Sequence, residues 1–166
     1  MVAPAVPAWA LQLHTAAVVL TLTGRVRIGN SAPPAAGTTQ TAPQAVARFD
    51  MAMLAAMPQH SFSTSTPWYA NARRFTGPLL RDVLSAVGAQ GESLRLTALN
   101  DYRVDMPYRD TQRFDVLLAR LLDGQPMAIR DKGPLFVIYP FDSQRELRSA
   151  VYYSRSAWQL RQIDVL

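Results

Sequence analysis

The chain has no cysteine among its 166 residues. That excludes disulfides, zinc–thiolate sites, iron–sulfur clusters and any thiol nucleophile. Lysine is almost as scarce: Lys132 stands alone. His14 and His60 are the two histidines, and with no carboxylate spacing between them they make a weak metal site. Each reads as a surface or hinge residue. Glu92 and Glu146 are the two glutamates, and they do not form the close pair that glycoside chemistry requires. No nucleophile elbow and no phosphate-cradling glycine loop occur. No apolar run is long enough to cross a membrane as a helix.

What is present can build a core. Hydrophobic residues make up 49% and charged residues 17%, which is not a disordered composition. A length of 166 residues makes one domain the default. The net charge of +5 raises the question of nucleic acid. The arginines, however, are spread from Arg25 to Arg161 with no run longer than two, whereas a nucleic-acid groove shows a clustered basic face. No nucleic-acid partner is expected. Met1–Ala10 (MVAPAVPAWA) is small and apolar and ends in an Ala-Trp-Ala that resembles a signal-peptidase site. It lacks a positive n-region and a full apolar core. Residues 1–17 are therefore read as a flexible tail or the remnant of an export signal, and 18–166 as the domain.

Period and punctuation predict the elements. Val18–Ile28 alternates and is rich in β-branched residues, a strand with Gly24 as a candidate bulge. Gly29–Pro43 reads as a loop. Phe49–Met57 has helix propensity, with Asp50 as candidate N-cap. His60–Thr66 is short and β-like. Gly77–Gly88 is the clearest helix, with Pro78 able to occupy its first turn and Gly88 able to end it. Ser93–Leu99 and Tyr102–Met106 read as strands joined by the polar corner Asn100-Asp101. Phe114–Leu122 is ambiguous by period, but Asp123-Gly124 favours a hairpin with Pro126–Arg130. Arg130–Pro134 reads as a tight turn, and Leu135–Tyr139 as a central strand buried on both faces. Asp142–Arg148 reads as a short helix capped by Asp142 or Ser143. Trp158–Val165 is a strand with a phase slip near Arg161-Gln162. Strands outnumber helices and do not alternate regularly with them, so the class is α+β with a mixed sheet.

Three polar corners carry the chemistry: Trp68–Arg74, Asn100–Tyr102 and Arg130–Gly133. Each joins regular elements, and connections of this kind present binding groups. If they converge on one sheet edge they offer rings (Trp68, Tyr102), amides (Asn71, Asn100), carboxylates (Asp101, Asp131) and cations (Arg73, Arg74, Arg130, Lys132). Such a set suits a pterin or guanine-like heterocycle, which stacks on an aromatic face and donates to a carboxylate. The competing reading is plain turn chemistry, surface ion pairs and one anchoring aromatic.

The order of motifs resembles the oxidoreductase molybdopterin-binding domain, the sulfite-oxidase fold, in its short bacterial form. The carrying segments are FTGPLLRDVL at 75–84, LNDY at 99–102, LA at 118–119, DGQPM at 123–127, RDKGPL at 130–135, Tyr139-Pro140, and Tyr153 with Arg155 through Trp158. The resemblance runs from about Val18 onward and implies a mixed α+β domain. Enzymes of that family hold molybdenum through a cysteine in a C-x-G-N-like segment. The equivalent run here is Trp68-Tyr69-Ala70-Asn71, so tryptophan stands in the thiolate's place. The resemblance thus implies a periplasmic, non-catalytic binder of a reduced or molybdopterin-like pterin, without molybdenum. It also implies a membrane sensor as partner, such as the periplasmic domain of a diguanylate cyclase or histidine kinase. In that reading the ring stacks on Trp68 with Tyr102 opposite, and Asn100 and Asp101 read its polar edge. Arg73, Arg74, Arg130 and Lys132 serve a side chain or phosphate. The rival is a molybdenum-cofactor oxidoreductase that dispenses with the cysteine ligand. A pure interaction domain is a third option, suggested by the aromatics of Tyr152–Trp158.

Overall fold

A computed structural model of the chain describes residues 16–30 and 45–166. The Met1–Ala10 segment, His14 and all but the first two residues of the Gly29–Pro43 loop lie outside the described residues. In chain order the elements are β1 (Val18–Gly24), β2 (Ala47–Asp50), α1 (Met51–Ala56), β3 (His60–Thr64), β4 (Arg73–Gly77), α2 (Leu80–Ala86), β5 (Ser93–Ala98) and β6 (Arg103–Pro107). Then follow α3 (Asp110–Arg113), β7 (Leu117–Ala119), β8 (Leu121–Leu122), β9 (Gln125–Pro126), β10 (Phe136–Ile138), α4 (Ala150–Arg155) and β11 (Leu160–Val165). The architecture is α+β.

The largest sheet has five strands in the order β2-β1-β11-β5-β6. Its β1–β11 pair is parallel and its other pairs are antiparallel, so the sheet is mixed. Alternation in these strands puts Leu20, Leu22, Leu94, Leu96 and Ile163 into a core shared with Leu80, Val83 and Leu84 of α2. A second sheet runs β3-β4-β8-β9, and β10 pairs with β7 in a two-stranded ribbon.

Local chemistry explains most boundaries. The Asp50 carboxylate accepts from the Met53 N–H at 2.8 Å and caps α1. Asp123 and Gly124 both have positive φ, 50° and 80°, as a two-residue hairpin between right-twisted strands requires. That hairpin joins β8 to β9, and the chain then enters a 3-10 turn at Ile129–Asp131, so β9 stops at Pro126 well short of Arg130. The register of β11 against β5 shifts between Leu160 and Gln162, where the sequence loses phase.

Several expectations are corrected. β1 stops at Gly24, and its irregularity lies between Val18 and Leu20. Gly24 is instead a terminus with φ +83°, and a Cβ there would collide with the Val165 carbonyl. Gly24→Ala is expected to destabilise the protein by about 1–3 kcal/mol, read as a lowered urea midpoint with an unchanged slope. Pro78 precedes the α2 cap, which is Leu79, and so lies outside the first turn. Leu135–Tyr139 is buried throughout, yet β10 belongs to the ribbon with β7; the segment meets the approach to β11 through the Phe136–Trp158 bridge, with Val137 N–H donating to the Ala157 carbonyl and Leu160 N–H to the Leu135 carbonyl. Asp142–Arg148 forms two 3-10 turns, Phe141–Ser143 and Arg145–Leu147, with no side-chain cap. The Asp142 carboxylate is drawn away to accept from the Ser65 N–H at 2.7 Å, while Asp142 N–H donates to Thr64 Oγ1 at 3.0 Å. Those two bonds fasten the start of the 65–72 connection to the core. The short helices α3 and α4 were not anticipated.

Candidate functional site

The connection from β3 to β4 delivers Trp68 into a ring cluster. Trp68 meets Trp158 at 5.4 Å, Phe136 at 5.6 Å, Tyr153 at 6.1 Å and Phe141 at 6.2 Å between centroids, all tilted or edge-on. Edge contacts of this kind are favourable and leave part of the indole exposed. The exposed part walls a cleft of about 400 Å³, with Asn100, Tyr102, Tyr153, Ser154, Ser156 and Trp158 among its lining residues. That volume lies within the range of small-molecule sites, which are mostly apolar with a few placed polar groups.

Three segments form the walls. The β5–β6 corner brings Asn100 and Tyr102, and Asn100 Oδ1 accepts from the Tyr102 N–H at 3.1 Å. α4 brings Tyr153 and Ser154. The chain after α4 brings Ser156, Ala157 and Trp158. A buried ion pair fixes α4: Arg155 Nη1 donates to Asp110 Oδ2 at 2.9 Å, and the Tyr139 hydroxyl donates to the same oxygen at 2.8 Å. The Asp110 side chain is 2% exposed and that of Arg155 is 21% exposed. Burial, and then the bond to Asp110, push the Tyr139 phenol far above its ordinary value, so it stays a neutral donor. α3 therefore acts as a bracket that holds the cleft wall from behind.

A second pocket, about 450 Å³, lies alongside and is lined by Tyr69, Arg73, Asp123, Arg130, Asp131 and Lys132 among others. Arg73 pairs with Asp123 and stacks its guanidinium 4.7 Å from the Tyr69 ring centroid. Bonds from the Arg74 N–H and from the Arg73 side chain hold the Asp123 carboxyl below its ordinary range. Desolvation raises the Tyr69 hydroxyl, against an opposing pull from Arg73. Lys132 joins the two pockets, its ammonium lying 4.7 Å from the Trp158 centroid and 5.9 Å from that of Tyr69.

The three polar corners thus meet at one end of the molecule, divided between two adjacent pockets. Trp68, Asn100 and Tyr102 line the aromatic cleft; Arg73, Arg130, Asp131 and Lys132 line the cationic pocket. Asn71, Arg74 and Asp101 line neither. Asp101 adopts φ 66° and its carboxylate accepts from Arg161 Nη2 at 2.7 Å. Tyr69, Tyr153, Ser154, Ser156 and Trp158 also line the pockets and were not anticipated there. Trp158 and Tyr153 lay inside a recognised motif, but their apolar surroundings read as core. Among the described residues no group of three His, Asp or Glu side chains is placed to hold a metal ion.

Fold and site together define an α+β domain with an aromatic cleft beside a cationic pocket. No family model matches the chain. No curated protein matches it. Among solved structures it is similar to the sulfane dehydrogenase SoxCD from Paracoccus pantotrophus, with a TM-score of 0.62 and 14% identity over 94% of this chain. The chain spans 40% of that protein's length. At that identity the likeness shows the fold, which agrees with the sulfite-oxidase-type architecture implied by the order of motifs.

Proposed function

We propose that this protein is a periplasmic, non-catalytic pterin-binding protein that reports its ligand to a membrane sensor. The observation that carries the reading is the cleft of about 400 Å³ walled by Trp68, Trp158, Tyr102 and Tyr153. Its donor set consists of rings, hydroxyls and the Asn100 amide, which fits a planar heterocycle and offers molybdenum no thiolate. The ring would lie against Trp68 and Trp158. The free hydrogens of the Asn100 amide would meet its acceptors, and the Ser154 and Ser156 oxygens, whose own hydrogens go to the Val151 and Tyr152 carbonyls, would accept from its N–H groups. No carboxylate or imidazole is among the residues lining the cleft to activate its serine and tyrosine hydroxyls, so binding is the chemistry this reading assigns to them.

Reporting requires a difference between the free and bound surface. The Asn100–Tyr102 corner and the Arg130–Gly133 turn are the candidate movers, because both are short connections bordering the pockets. A membrane sensor's periplasmic domain would read that change.

A second reading, an oxidoreductase that carries a molybdenum cofactor without a cysteine ligand, draws on the structural likeness to a dehydrogenase. Titration of the purified full chain with reduced and oxidised pterins separates the two. Saturable quenching of tryptophan fluorescence with one site per chain is expected. Absence of binding to every pterin would sink the reading. Stoichiometric molybdenum in protein purified from its native compartment would replace it with the second.

A further inference from the structure

We infer that Arg161, which lines neither pocket, is the positioning residue that sets the cleft's selectivity for the polar edge of its ligand, by clamping the corner that carries Asn100 and Tyr102. This role rests on the pterin reading of the cleft and names what makes the cleft selective.

The rings of the cleft do not supply that selectivity. Trp68, Tyr153 and Trp158 offer faces and edges to any flat bicycle. Discrimination falls to the placed polar groups, and Asn100 is the one side-chain amide among the lining residues. Its Oδ1 accepts from the Tyr102 N–H at 3.1 Å, so what it presents to a ligand is its pair of amide hydrogens. Their direction is set by the backbone of the corner.

That backbone is an uncommon one. Between Asn100 and Tyr102, Asp101 has φ 66°, a left-handed conformation that glycine takes more readily. The turn is closed by Asp101 N–H donating to the Ala98 carbonyl at 3.0 Å and by Ala98 N–H donating to the Tyr102 carbonyl at 2.9 Å. One guanidinium then spans it. Arg161 Nε donates to the Ala98 carbonyl at 3.1 Å, and Arg161 Nη2 donates to Asp101 Oδ1 at 2.7 Å. The guanidinium is planar and rigid, so two bonds from it fix the separation between the end of β5 and the left-handed residue.

The sheet is built to aim this side chain. The register of β11 against β5 passes from Leu160–Ala98 to Gln162–Thr97, which leaves Arg161 as the extra residue of a bulge. A bulge bends its strand and re-aims a side chain. Stability gives little reason for the ion pair. The side chains of Arg161 and Asp101 are 37% and 74% exposed, and exposed pairs contribute little. What the bulge and the clamp hold in place is the Asn100 amide at the cleft.

Calorimetric titration of the full chain with two flat bicycles tests this: pterin, which has a carbonyl and an amino group on one edge, and quinoxaline, which has neither. The unaltered protein is expected to bind pterin at least about tenfold more tightly than quinoxaline. Arg161→Met keeps the apolar stem and removes the fork. It should lower pterin affinity about fivefold, leave quinoxaline affinity unchanged and barely move the urea midpoint. Asp101→Gly suits the left-handed backbone and removes the carboxylate. It should reproduce the loss from the other side of the bond, and it carries the test if Arg161→Met does not fold. Asp101→Asn keeps an acceptor for Arg161 and should retain the selectivity. An unchanged pterin-to-quinoxaline ratio in folded Arg161→Met, or in Asp101→Gly where that alone folds, would overturn the inference and leave the pterin reading standing. An equal fall for both ligands would show a merely structural role and overturn it as well. Equal affinity for the two rings in the unaltered protein would leave a cleft that stacks rings without reading their edge, again against Arg161. Binding of neither ring would remove the pterin reading and this inference with it.

Discussion

Removing the Asp110 carboxylate is expected to be among the most damaging single changes to the cleft. Asp110→Ala leaves the partly exposed Arg155 guanidinium without its anion and the buried Tyr139 hydroxyl without its acceptor. Breaking a fully buried pair by removing one partner costs about 3–5 kcal/mol; with Arg155 able to regain some water, a loss of about 2–3 kcal/mol is expected. The loss is read as a fall in urea midpoint. Asp110→Asn keeps an acceptor for Tyr139 and is expected to lose less. The same bracket holds α4, so a folded Asp110→Asn protein should also bind pterin more weakly, with Tyr153 and Trp158 less firmly placed. A variant as stable as the original would show that α4 is held by its aromatic packing and that the ion pair is incidental.

Trp68→Ala is expected to damage both binding and stability. The indole touches four rings, so its loss opens a void in the aromatic cluster. Large-to-small changes in a full core cost about 3–5 kcal/mol, and a half-buried position such as this should cost about 2–3 kcal/mol. Stacking against the ligand contributes about 1 kcal/mol beyond buried area, so affinity should fall at least about fivefold. Trp68→Phe separates the two effects, since it restores much of the packing and a smaller stacking face. Calorimetric titration of all three proteins with one pterin gives the comparison. Unchanged affinity in Trp68→Ala would move the ring-binding surface to Trp158 and Tyr102.

Much of the fold was legible because local chemistry and tertiary packing agree there. Asp50 caps α1, Asp123-Gly124 closes a hairpin, and the phase slip in β11 appears as a register shift. Misreadings arose where a tertiary partner outbid local preference. Asp142 looks like a helix cap, but the Ser65 N–H takes its carboxylate and the segment tightens into 3-10 turns. α3 is four residues long and has too little sequence to show a period. The corners that make up the site were visible as polar connections, but their meeting depends on long-range placement. Trp68 and Trp158 are 90 positions apart in the chain, and their 5.4 Å contact leaves no local trace. Asp101 illustrates the reverse. Its corner is at the cleft, while its side chain is committed to Arg161 at the start of β11, which is near in space, beside Ala98, but 60 positions away in the chain.

The placement of β11 has a consequence for how the chain acquires its shape. It follows every other element in the chain, yet it lies between β1 and β5 in the five-stranded sheet. Thr21 is registered against Gln162, and Leu96 against Ile163. Until those residues arrive, β1 and β2 have no way to join β5 and β6, and two apolar half-sheets remain separate with open edges. Closing so long a loop is slow, and the half-built state exposes surface that invites association with other chains. The cleft inherits this timing, because Trp158 precedes β11 by two residues and is set only when that strand is seated. A chaperone, or any machinery that keeps the polypeptide extended, would therefore find its substrate in the whole chain up to its final strand, and a ligand would meet a binding surface only after the sheet has closed.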